Sequence, residues 1–132
     1  YGGRSASDLF HLEAFRHLGV HLELTTDDGS RGYHGQVTIP LERALRRLDP
    51  TTRVRLYACG PTPMMQAVTE IASAHGRAIE VSLEQVMGCG LGGCYSCVVP
   101  IRRETGSVHF VRSCLDGPVF DGRQVVWNGL GS

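Results

Sequence analysis

Residues 88–97 read Gly-Cys-Gly-Leu-Gly-Gly-Cys-Tyr-Ser-Cys, and a further cysteine follows at position 114. Cys89, Cys94 and Cys97 are spaced C-x4-C-x2-C, which together with the later Cys114 is the ligand spacing of a plant-type [2Fe–2S] cluster. A short loop supplies three thiolates to one cluster only if it curls tightly, and glycine permits the backbone conformations that such a curl requires. The backbone N–H groups that this loop points inward would stabilise the negatively charged sulfides of the cluster. The spacing therefore predicts a cluster held by these four cysteines that transfers single electrons.

Two other interpretations of the cysteines stay open at this point. A structural zinc site usually combines two short knuckles, whereas here only Cys94 and Cys97 form one, and Cys114 has no near partner except His109. Disulfides are typical of small secreted proteins, and nothing else in the chain indicates such a protein. The spacing favours iron and sulfide over both.

Composition excludes several classes of function. The 132 residues have a formal net charge of zero, so the charge balance does not indicate nucleic acid or an anionic membrane as a partner. No apolar run is long enough to span a bilayer, and no signal peptide is visible. Five cysteines, four of them in a cluster pattern, favour the reducing cytoplasm. The chain begins at Tyr1 without an initiator methionine, so we expect that an N-terminal part is missing.

Upstream of the cysteine loop, strand and helix patterns alternate. Apolar periodicity predicts helices at residues 9–18, 40–48 and 64–75, and strands at residues 20–24, 54–59 and 79–83. Such alternation implies a parallel sheet with flanking helices. Beyond residue 83 only short β patterns remain, at residues 97–101, 108–111 and 124–127. We therefore expect an α/β fold with a partial parallel nucleotide-binding sheet in residues 1–83 and a small β-rich [2Fe–2S] module in residues 84–132.

Ligands of open α/β sheets bind at the carboxyl ends of the strands, and three such ends carry candidate residues. Arg4 precedes a helix and could bind phosphate. Asp27 and Asp28 follow a strand and could hold the hydroxyls of an adenosine ribose. The third end is a tight turn into a helix, formed by residues 59–64. Each has a plainer interpretation, because Arg4 could be a surface charge, Asp27 and Asp28 a solvated turn and Cys59 a small core residue.

Four stretches resemble a known family. Residues 58–65, Ala-Cys-Gly-Pro-Thr-Pro-Met-Met, resemble the Cys-Gly-Pro-x-x-Met motif on the nicotinamide side of the ferredoxin–NAD(P) reductase superfamily. Residues 82–120 are similar to one branch, the electron-transfer subunit of class 1B dihydroorotate dehydrogenase. Residues 1–5 and 26–30 are similar to its strand-end motifs. The resemblance covers nearly the whole chain.

The resemblance implies an NADH-dependent flavoprotein of pyrimidine biosynthesis. NADH would reduce FAD, and FAD would pass single electrons through the cluster to a separate FMN-containing catalytic subunit, in a heterotetramer. By position, Cys59, Gly60, Pro61 and Met64 would lie at the nicotinamide and flavin. The family places an FAD-binding β-barrel before the nucleotide domain, and its motifs are absent from this chain. We therefore expect most of the FAD site to lie in the missing N-terminal part, and this chain alone to be inactive.

Two alternative functions complete the prediction. The first is an electron-transfer subunit of another NAD(P)H-dependent oxidoreductase of the same superfamily, linked to sulfide or ferredoxin. The second belongs to a different class and is a zinc-stabilised binding module without a redox role.

Overall fold

A computed structural model describes residues 1–130 of the chain. These residues form two compact units, Tyr1–Pro50 and a second that begins at Thr51. Each unit contains its own β-sheet and at least one helix. The predicted α/β class with a β-rich cluster module is confirmed. The predicted boundary at residue 84 lies inside the second unit and stays a prediction.

The first unit is built on three very short parallel strands in the order β1-β2-β3. Strand β2 is central, and its two threonines are buried, which suits β-branched side chains in a sheet. A Cβ atom at Gly2 of β1 would stand 2.8 Å from the hydroxyl of Thr25, so the first two strands approach closely because β1 consists of glycine. The elements are β1 (Gly2–Gly3), a 3-10 turn (Ala6–Asp8), α1 (Leu12–His17), β2 (Thr25–Thr26), β3 (Tyr33–His34) and α2 (Thr38–Arg47).

The second unit begins with a β-α-β element in which β4 and β5 pair in parallel. The connecting helix α3 presents Met65, Val68 and Ala72 to the core, where Ile79 and Val81 of β5 are also buried. These three helix residues are three and four positions apart, the spacing that the sequence predicts for one buried helix face. The elements are β4 (Arg55–Cys59), α3 (Thr62–Ala74) and β5 (Ala78–Ser82).

The remaining elements of the second unit contain the cysteines. Strands β6 and β7 form an antiparallel hairpin that starts directly after Cys97 and ends directly before α4, which carries Cys114. Strand β8 then pairs antiparallel with β5, so the chain returns to the parallel pair. The elements are β6 (Val98–Arg102), β7 (Val108–Arg112), α4 (Ser113–Asp116), β8 (Val119–Asp121) and a 3-10 turn (Trp127–Gly129).

Several boundaries predicted from the sequence are wrong. Residues 20–24 alternate like a strand, but the ladder forms at Thr25 and Thr26, because these are the buried residues, while Val20 is half exposed. Residues 124–127 contribute only an isolated bridge from Val125 to Ile101. Strands β3 and β8 were not predicted, since two or three residues give too short a pattern to recognise.

Candidate metal centre

The cysteine loop directs backbone N–H groups at its own sulfur atoms. The amide of Leu91 donates to Cys89 Sγ at 3.3 Å. The backbone amide of Gly92 hydrogen-bonds the Cys114 thiol, and that of Ser96 does the same for Cys94. Gly90 and Gly92 have φ values of +66° and +80°, which produce this inward curl. The loop is thus built to stabilise negative charge on sulfur.

The four cysteines lie in two adjacent pairs. Cys89 lies beside Cys94, and Cys97 beside Cys114, with Cys89 near enough to Cys114 to act on it electrostatically. Residues 1–130 contain no group of three or more Cys, His, Asp or Glu side chains placed to hold a metal ion. Two pairs of thiols match the chemistry of a [2Fe–2S] cluster, in which each iron takes two thiolates.

The neighbours of the thiols change their acidity. The Ser96 hydroxyl, 3.1 Å from Cys94 Sγ, and then the Ser96 amide lower the pKa of Cys94 to about 6. Hydrogen bonds from Cys114 lower the pKa of Cys97, and the same contact raises the pKa of Cys114, which keeps the shared proton. Cys94 and Cys97 are therefore shifted toward the thiolate form, the form that binds metal, and Cys114 is shifted away from it.

The loop packs closely against its own sulfur and against α4 at two glycines. A Cβ atom at Gly88 would stand 3.0 Å from both Cys94 Sγ and the Ser96 hydroxyl. At Gly92 it would stand 2.5 Å from the side chain of Leu115, which follows Cys114. A side chain at Gly88 would thus crowd the loop's own sulfur, and one at Gly92 would crowd the residue that follows Cys114. The four thiols, the inward amides and these close approaches fit an iron–sulfur cluster.

Two residues of the site, Arg112 and Ser113, were not singled out from the sequence. Arg112 donates to the carbonyl oxygen of Gly92 at 2.5 Å, and its guanidinium lies 5.0 Å from the ring centre of Tyr95. Tyr95 has a φ of +60°, which is uncommon for a residue with a side chain. Ser113 is fully buried beside both cysteines of the second pair. The only feature of the sequence that could have indicated these contacts is the basic residue two positions before Cys114.

In the first unit, Arg4 and Asp27 lie next to each other at one edge of the sheet. They follow the parallel strands β1 and β2, and the amide of Asp28 donates to the Arg4 carbonyl at 3.0 Å. The Arg4 guanidinium pairs with Asp8 at 3.2 Å and is mostly exposed. Asp28 accepts from the hydroxyl and amide of Ser30, which lowers the pKa of Asp28. Asp27 is exposed and the more available of the two carboxylates.

In the second unit, Cys59 ends β4 and is exposed rather than part of the core. Gly60 follows with a φ of +150°, and a Cβ atom there would stand 2.5 Å from the methyl group of Met64. Pro61 lies at the N-cap of α3. The turn is therefore tight, as predicted, and it presents the Cys59 thiol to solvent.

The cysteine module is similar to a known domain. Residues 84–126 match the model of the iron-sulfur cluster binding domain of dihydroorotate dehydrogenase B. The dihydroorotate dehydrogenase B match includes all four cysteines, both hairpin strands and β8.

Longer similarities extend over nearly the whole chain. It is 40% identical over 126 residues to the dihydroorotate dehydrogenase B (NAD(+)) electron transfer subunit of Shouchella clausii, covering 95% of this chain and 45% of that protein. The Desulforamulus reducens subunit is 37% identical, with 96% and 47% covered. The chain thus spans less than half the length of these curated relatives.

A solved structure shares the fold. It is an NADH-dependent reduced ferredoxin-NADP oxidoreductase described in a study of flavin-based electron bifurcation. The TM-score is 0.74 at 34% identity, over 98% of this chain and 44% of that one. No helix within residues 1–130 is long and apolar enough to cross a membrane.

Proposed function

We propose that Cys89, Cys94, Cys97 and Cys114 bind a [2Fe–2S] cluster through which this chain passes single electrons. The observation that carries the proposal is the arrangement of four thiols in two pairs beneath inward-pointing amides. No proton donor or acceptor is required, because electron transfer moves no proton at the cluster. What the residues must do is hold the sulfurs and stabilise their charge.

The similarity to dihydroorotate dehydrogenase B electron transfer subunits supports a route for the electrons that pass through the cluster. NADH would reduce FAD, and the cluster would relay electrons to the FMN-containing catalytic subunit of a cytoplasmic dihydroorotate dehydrogenase, within a heterotetramer. Arg4, Asp27 and Asp28 would serve the dinucleotide, since they stand at adjacent ends of parallel strands. Cys59, Gly60, Pro61 and Met64 would serve the nicotinamide side, because their tight turn allows close approach. The family match beginning at residue 84 supports the proposed module boundary.

A second candidate is an electron-transfer subunit with a different redox partner. The fold shared with an NADH-dependent ferredoxin-NADP oxidoreductase favours it, at an identity close to that of the dihydroorotate dehydrogenase relatives. Both candidates use the same cluster and differ in the protein that receives the electrons.

Two experiments test these proposals in turn. The chain is first reconstituted with iron and sulfide, and its iron, acid-labile sulfide and zinc contents are measured. Two irons and two sulfides per chain are expected, whereas one zinc that iron and sulfide do not displace would establish the zinc-stabilised module.

The second experiment identifies the partner. The loaded chain is combined with a dihydroorotate dehydrogenase B catalytic subunit, and reduction of the cluster by dihydroorotate is followed in the visible spectrum. Rapid reduction is expected. Reduction by a reduced ferredoxin but not by the dihydroorotate system would establish the second candidate. NADH oxidation is not expected from the chain alone.

A further inference from the structure

The Ser113 side chain is a buried polar group without a partner. The residue is 0% exposed, and its Oγ has no hydrogen bond within residues 1–130. Buried hydroxyls are nearly always hydrogen-bonded, because an unmade bond leaves the loss of water uncompensated. An exception at this position needs a physical reason.

The backbone holds Ser113 between the two cysteines of one pair. Its amide donates to the Cys97 carbonyl at 2.9 Å, and its own carbonyl accepts from Gly117 at 3.1 Å. Cys114 follows it directly in α4. The backbone groups are therefore satisfied, and only the hydroxyl is left over.

The Ser113 hydroxyl lies beside the Cys97 thiol but outside the geometry of a full hydrogen bond. A neutral thiol is a weak acceptor, whereas a thiolate attracts a hydroxyl proton strongly.

We propose that Ser113 donates its hydroxyl proton to the Cys97 sulfur when that sulfur binds iron, and thereby raises the reduction potential of the cluster. This inference rests on the function proposed above. One-electron reduction adds one negative charge to the iron–sulfur core, so the sulfur becomes a better acceptor. The hydrogen bond stabilises the reduced state more than the oxidised state, which favours reduction.

The test is a redox titration of the full chain loaded with iron and sulfide, with reduced cluster measured by electron paramagnetic resonance. Ser113→Ala removes the hydroxyl without adding bulk. It is expected to make reduction about tenfold less favourable, which for one electron is a midpoint about 59 mV lower. Ser107→Ala is the matched control, since Ser107 is an exposed serine next to β7, and its midpoint should equal that of the wild type.

Each outcome separates the inference from the proposed function. A wild-type chain that takes up no iron and sulfide would overturn both. A loaded wild type with an unchanged midpoint in Ser113→Ala would overturn only the role of Ser113, as would an equal shift in Ser107→Ala. Loss of the cluster in Ser113→Ala alone would assign the hydroxyl to cluster retention and reject its effect on potential.

Discussion

Replacing Gly88 by alanine tests whether a bound cluster holds the Cys94 sulfur in place. The added methyl carbon would lie 3.0 Å from Cys94 Sγ and 3.0 Å from the Ser96 hydroxyl, closer than ordinary van der Waals contact. In the cluster-free chain the Cys94 side chain can turn away. In the loaded chain iron would fix that sulfur, so the methyl group must be accommodated by strain.

The size of the effect follows from the cost of overpacking. Added carbon atoms in a well-packed site cost about 1–3 kcal/mol. Since about 1.4 kcal/mol corresponds to a tenfold change in an equilibrium constant, cluster affinity should fall about 5- to 150-fold. The thermal midpoint of the cluster-free chain should stay nearly unchanged, because the strain arises only when the sulfur is fixed.

Two glycines of the same loop provide controls. Gly93 has no atom within 4 Å of its added Cβ and no positive φ, so Gly93→Ala should behave like the wild type. Gly90 also has open space, but its φ is +66°. Gly90→Ala should therefore show backbone strain of about 1–2 kcal/mol with no clash at sulfur.

The assay titrates each loaded variant with an iron chelator and follows the cluster's visible absorption. Gly88→Ala should lose the cluster at the lowest chelator concentration. If Gly88→Ala and Gly93→Ala lose it at the same concentration, Cys94 Sγ is not held in place by iron, and Cys94 would be rejected as a ligand.

Three further predictions concern the loop and its surroundings. Cys94→Ser should abolish the visible absorption of the reconstituted chain, and Cys59→Ser should leave it intact; equal spectra of the two variants would reject Cys94. In the cluster-free chain, the reaction of Cys94 with iodoacetamide should speed up as the pH rises through about 6, because the low pKa of this thiol makes its thiolate available at that pH. Ser96→Ala should move this rise in reactivity to higher pH. An unchanged pH profile in Ser96→Ala would contradict the role of the hydroxyl. Leu91 is 85% exposed on the loop, so it is a candidate contact for the proposed partner. Leu91→Asp should slow electron exchange with a dihydroorotate dehydrogenase B catalytic subunit while preserving the cluster spectrum, and Leu18→Asp, at a similarly exposed leucine of the other unit, should not. Equal rates in both variants would exclude Leu91 from contact with that subunit.

The sequence predicts those parts of the fold that depend on local periodicity. Helix α3 and strand β5 each bury one face in a regular pattern, strand β4 half-buries alternate residues, and all three appear where the sequence pattern places them. The prediction of a strand at residues 20–24 is wrong, because alternation of apolar and polar residues does not show which residues pair with a neighbouring strand. Pairing instead selects Thr25 and Thr26, whose burial depends on the glycines of β1.

The candidate site likewise has a part that could be predicted from the sequence and a part that could not. Cysteine spacing is a local property, so the loop and Cys114 were recognisable from the sequence. The contributions of Arg112 and Ser113 depend on a hairpin that carries the chain away from Cys97 and back again. No spacing rule encodes which side chains such a return brings against the sulfurs. Asp28 could be predicted at the end of a strand, but its engagement by Ser30 could not.

The pairing of β8 with β5 has a consequence for the independence of the cluster module. The match to the cluster domain begins at residue 84, yet its β8 completes a sheet whose other strands lie before that residue. A fragment cut at residue 84 would leave β8 with an open edge and without its apolar neighbours on β5, and such edges associate between molecules. Residues 51–130 should instead open as one cooperative unit, with the amides of β5 and β8 exchanging their hydrogens at the same rate. Loss of metal from the loop would then loosen the sheet of β4, β5 and β8 as well.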